Sequence, residues 1–217
     1  MIDFSNFQVT LEEVLEQFSE NERDFYEDII DELLDTVNEH FHPVVKWKEL
    51  TVALQDKSSL LLNDVVFTGN YLPSKLENVK TVYGFLVTVG DEVWKQRDTT
   101  SDALELMLFD AILNTCMNKL FGKVASEIIK LLPSDMEIIM ENPGQIDGWQ
   151  VEDQEKLLSL LYENEADILN LMDDNHLFKT NHSLAGIIYA KGKRTNDAWY
   201  QDEKSLVEHL HNSSNVK

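Results

Sequence analysis

The chain has 217 residues, 43% of them hydrophobic, with 18 Lys or Arg against 40 Asp or Glu and a formal charge of −22 at pH 7. That is enough apolar material for one cored domain, with or without a helical appendage. The charge opposes binding to DNA, RNA or an anionic membrane face, because the phosphate attraction behind most non-specific affinity has the wrong sign.

No run approaches the roughly 18 apolar residues of a membrane span, and the start MIDFSNFQVTLEE lacks the basic and apolar regions of a signal peptide. A cytoplasmic protein is the expectation. The single cysteine, Cys116, leaves no intrachain disulfide framework or cysteine-built metal cluster and is expected in the core.

In chain order, Glu12 to Glu39 carries twelve Asp or Glu and one basic residue, Arg23, which is half of the net negative charge. Leu11, Val14, Leu15 and Phe18, then Phe25, Ile29, Ile30, Leu33, Leu34 and Val37, recur at three- and four-residue intervals. This spacing predicts an acidic amphipathic helical segment over 1–42 with its carboxylates in water. A docking face for a basic partner is the sharper alternative. From 43 to 195 the texture changes: SSLLLNDVVFTG and KTVYGFLVTVG read as strands bounded by Asn, Gly and Pro. Ser101 to Leu131 is apolar on nearly every face and stops at Pro133, so it predicts a helix buried at the centre. MEIIME, a Pro-Gly turn, a helix over Val151 to Glu163, and the strand-like runs ADILNLM and SLAGIIYA follow. The polar residues 196–217 read as a tail. The fold class is therefore α+β, with a largely antiparallel sheet around a buried central helix.

Sites of familiar chemistry are scarce. There is no phosphate-binding glycine loop. His40 with His42, and His209 with His211, have H-x-H spacing, which suits a metal on a strand but more often marks surface histidines. With 40 carboxylates, acidic pairs carry no information about a general acid and base. The most specific punctuation is ENPGQIDGWQVEDQEKLLSLL, Glu141 to Leu161, where Pro143 presets φ, Gly144 permits positive φ, and Trp149 floors a groove or plugs a helix–sheet junction.

Four ordered stretches over Val65 to Ala190 together resemble the activation-domain family of vitamin B12-dependent methionine synthase, especially its short free-standing bacterial members. The matching positions are Thr88 and Gly90 of a Thr-x-Gly strand end, Asp102 and Leu104 opening the helix, Pro143, Gly144, Trp149 and Gln154 of the turn and its helix, and Ser183 of the closing strand. The resemblance implies an accessory, reactivation-type protein. It would present S-adenosylmethionine to cobalamin held by a partner, a corrinoid protein or methyltransferase. It also implies a cofactor-binding set at Met140, Gly144, Gln145, Trp149 and His182. Met140 stands where the family has arginine, Gln145 where it has tyrosine, and His182 where lysine is usual. Losing the guanidinium fork removes a bidentate grip on the ligand's carboxylate, so a weakened S-adenosylmethionine groove is expected. The alternative is a ligand-free interaction module that keeps only the fold; an enzyme with its own chemistry is the least supported reading.

Overall fold

The computed structural model describes residues 7–144 and 148–193. The N-terminal acidic segment forms two helices instead of one continuous run. Helix α1 (Leu11–Leu15) opens with a reciprocal cap: Thr10 N–H donates to Glu13 Oε2 at 2.9 Å, and Glu13 N–H donates to Thr10 Oγ1. Helix α2 (Glu20–His40) starts afresh at Ser19, whose N–H and hydroxyl both donate to Glu22 Oε2. The second capping pair is what splits the segment. Ile30, Leu34 and Val37 form the buried stripe of α2.

The described residues build a six-stranded sheet in the order β3-β2-β1-β4-β6-β5, antiparallel throughout. Its strands are β1 (Val44–Asp56), β2 (Ser59–Leu62), β3 (Val65–Thr68), β4 (Thr81–Thr88), β5 (Glu137–Glu141) and β6 (Ser183–Lys191). Three short helices interrupt them: α3 (Tyr71–Lys75), α4 (Asp91–Thr99) and, after the long α5 (Ala103–Ile129), α6 (Asp153–Leu161). A seventh element, α7 (Glu165–Leu171), covers the run ADILNLM, which is a helix and not the strand its composition suggested. Asn164 caps it by accepting from Ala166 N–H, Glu165 and Asp167 sit favourably in the first turn, and Ile168 with Met172 has helical spacing.

Side chains alternate across β4, so the sheet separates two cores. Tyr83, Phe85 and Val87 face α5, while Val82 and Leu86 face α6. Helix α5 lies between the sheet and α1/α2, which explains a helix apolar on almost every side: Leu108, Ile112, Leu113, Leu120, Val124 and Ile128 are all fully buried. Asp102 caps it, accepting from Leu104 N–H and Glu105 N–H. Cys116 sits in this core, where burial pushes its thiol up to about 12, so it stays protonated and inert. Among the described residues no helix is long and apolar enough to cross a membrane.

Candidate functional site

The turn after β5 is where sequence and structure concentrate. Strand β5 hands the chain to Asn142, Pro143 and Gly144, and Gly144 adopts φ 87°, a conformation L side chains rarely take. Its N–H donates to Trp149 O at 2.7 Å, which closes the loop on itself. Trp149 is 2% exposed. Its ring stands edge-on to Phe67 of β3 at 5.8 Å, and its indole N–H donates to Asp153 Oδ2 at 3.0 Å. Lys156 Nζ then pairs with Asp153 Oδ1 at 2.6 Å. The first turn of α6 is thereby locked to the sheet, so Trp149 plugs the helix–sheet junction and is almost wholly withheld from solvent.

Beside the turn lies a buried carboxylate. Glu141, 4% exposed, accepts from Tyr71 Oη at 2.5 Å and faces Lys75 Nζ at 3.3 Å and Tyr189 Oη at 3.5 Å. Lys191 Nζ donates to the Lys75 carbonyl at 2.6 Å, covering the end of α3. Burial first, and then the hydrogen bond and charge of the neighbouring Glu141, push both phenols well above the usual tyrosine range. They are fixed as donors at neutral pH. This cluster holds α3 against β5 and so positions Tyr71 as one wall of a small pocket of about 110 Å³, which also takes in Thr68, Asn70, Gly148 and Trp149.

The residues nominated from the sequence do not converge on one spot. Gly144 and Trp149 belong to the turn on the α6 face. Met140, paired with Ile188, is half-buried against the α5-side core. His182 sits six residues before Ile188 on the same chain, about 20 Å along the strand direction, with its ring 5.6 Å from Trp94 of α4. Burial lowers the His182 pKa, the nearby Asp110 carboxylate opposing this, and its Nδ1 has no hydrogen-bond partner among the described residues. Gln145 lies outside the described residues, as do His209 and His211.

The other motif positions have structural work. Thr88, Thr180 and Ser183 share a hydroxyl network, with Ser183 Oγ donating to Thr88 Oγ1 at 2.7 Å, and it zips β4 to β6. Gly90 begins α4 at φ 94°, where an added Cβ would lie 2.2 Å from the His42 carbonyl. His40 Nδ1 contacts the Thr36 carbonyl, and His42 Nδ1 lies 3.2 Å from Glu92. Among the described residues no three His, Cys, Asp or Glu side chains gather as metal ligands. The Glu141 cluster escaped sequence reasoning, since its members come from α3, β5 and β6 with no shared motif.

This geometry defines a class: an α+β domain whose antiparallel sheet carries a long buried helix on one face and a turn-and-helix plug on the other. No protein-family model matches the chain, and no curated protein matches it in sequence. Among solved structures, a crystal structure of the MetH reactivation domain bound to AdoHcy matches with a TM-score of 0.60 at 13% identity, over 96% of this chain and 78% of that one. The fold relationship implied by the ordered motifs is present; at this identity it is a likeness of fold.

Proposed function

We propose that the protein is an accessory, reactivation-type component of a cobalamin or corrinoid methyltransferase system, with an S-adenosylmethionine groove that has lost part of its grip. The observation that carries this reading is the fold likeness over nearly the whole chain to a domain solved with S-adenosylhomocysteine. The weakening rests on two features. The position that would offer a guanidinium holds Met140, a side chain packed toward the α5-side core. The space beside Gly148 and Trp149 is about 110 Å³, whereas pockets that enclose drug-sized ligands run from about 300 Å³ upward. Such a site accepts a fragment of the ligand and leaves the remainder on the surface. Cobalamin would be met only on the partner.

Calorimetric titration with S-adenosylmethionine tests the reading. The wild-type chain should bind more weakly than low-micromolar, and Gln145→Tyr, next to Gly144 in the turn itself, should gain roughly tenfold, whereas Met140→Arg should gain nothing because Met140 packs toward the opposite face of the sheet. Low-micromolar affinity in the wild type would show that other residues supply the grip. Binding by neither the wild type nor Gln145→Tyr would leave an interaction module that keeps only the fold, a reading the small pocket also favours.

A further inference from the structure

A separate surface lies on the far side of α5 from the sheet. The α1–α2 turn and the first half of α5 enclose an open groove of about 580 Å³, with Phe18, Leu106 and Met107 on its apolar side and Gln17, Asp110 and Asn114 on its polar side. Two of these polar groups are occupied: Gln17 Nε2 donates to Ala111 O and Thr115 Oγ1, and Asp110 takes a bidentate pair from Arg97 at 2.8 Å. Of the apolar groups, Phe18 and Leu106 are half-buried and Met107 stands open. Met107 is 44% exposed, and Phe25, 67% exposed, continues the apolar surface through Tyr26 to Phe18 in edge-on ring contacts of 5.4 and 5.1 Å.

Charge decides what fits there. The outer face of α2 carries Glu20, Asp24, Glu27, Asp28, Asp31, Glu32, Asp35 and Glu39, all exposed. Glu20/Asp24, Asp24/Asp28, Asp28/Glu32, Glu27/Asp31, Asp31/Asp35 and Asp35/Glu39 stand four residues apart, each a like-charge pair that weakens the helix on its own. Among the described residues none of these carboxylates makes an ion pair, and the one cation of α2, Arg23, turns its Nε onto the Phe18 carbonyl at 3.1 Å. A second copy of a chain with net charge −22 would be repelled from this face.

We propose that the groove and the adjoining α2 face dock a cationic amphipathic helix of a partner protein. Its apolar side would rest on Phe25, Phe18 and Met107, with its lysines or arginines along the α2 carboxylates. An apolar strip beside a single-sign charged face is the complement such a helix requires. The inference goes beyond the reactivation reading and does not depend on a ligand in the β5–α6 turn.

The test uses the full chain and a helical leucine–lysine peptide about 18 residues long, with a scrambled peptide of equal charge, by calorimetry at physiological salt. The amphipathic peptide should bind, the scrambled one about tenfold more weakly, and Met107→Glu and Phe25→Ser should each lower affinity by about tenfold. Both sites are exposed, so melting midpoints should not move. Leu169→Glu, at a 57% exposed position on α7, serves as a control and should change nothing. No binding, or equal binding of both peptides with indifference to Met107→Glu and Phe25→Ser, would overturn the proposal, the latter because charge alone would account for the affinity.

Discussion

Tyr71 Oη donates to Glu141 Oε2 across 2.5 Å, tying α3 to the last residue of β5 over 70 positions of sequence. Tyr71→Phe leaves a buried carboxylate short of its nearest donor, so it should cost about 1–3 kcal/mol in urea denaturation. Lys75→Met removes an ammonium whose side chain is 44% exposed and should cost under about 1 kcal/mol. The reverse order of these two effects would mean that the ion pair, and not the phenol, holds the cluster.

Ile30 is fully buried where α2 meets α5, while Glu12, Glu16 and Glu27 are exposed. Ile30→Asp should destabilise by roughly 4 kcal/mol or more, because an unpaired charge enters the core. Charge reversal at any of the three glutamates should stay within about 0.5 kcal/mol. Thermal melts separate the two outcomes, and comparable shifts would contradict this packing.

Gly90 and Gly69 both adopt positive φ, yet only Gly90 has backbone in the way, with the His42 carbonyl 2.2 Å from an ideal Cβ. Gly90→Ala should cost about 2 kcal/mol or more and Gly69→Ala about 1 kcal/mol, since the second carries conformational strain alone. Chemical denaturation of the two variants measures the difference.

His182 has its pKa lowered, mainly by burial. The unfolded chain, with an ordinary histidine pKa of about 6.5, therefore binds the proton more readily than the folded one. Stability from neutral His182 is intact above that pH and is lost as pH falls below it. His182→Gln should lose less stability than wild type between pH 7 and pH 5, measured by denaturation at each pH. Identical slopes would show that His182 is not desolvated as its position beside Trp94 suggests.

The elements legible in the sequence were those whose burial follows a period. Helix α5 announces itself through apolar residues on all sides, α2 through its stripe, and β4 and β6 through β-branched and aromatic runs that lie inside the sheet. Strand β1 was not anticipated, because VVKWKELTVALQD mixes lysines and glutamates into a strand with much of its length exposed. Polar α4 gave no periodic signal for a similar reason, and five-residue α3 is too short to display one. At the turn, Gly144 was readable from its chemistry. The direction of Met140 depends on strand register, and the neighbours of Glu141 depend on which loops fold over β5; neither is written locally.

The strand order sets a timetable for folding. Strands β1 to β4 pair through comparatively short connections, but the second edge of β4 must wait for β6, since the Thr88–Ser183 contact spans 95 positions. Closing so long a loop costs about 4 kcal/mol of chain entropy before any pairing returns it. Until β6 arrives, β4 presents a row of unpaired amides and carbonyls beside strongly apolar side chains. The vulnerable interval for misassembly lies there, between completion of the first four strands and capture of the sixth.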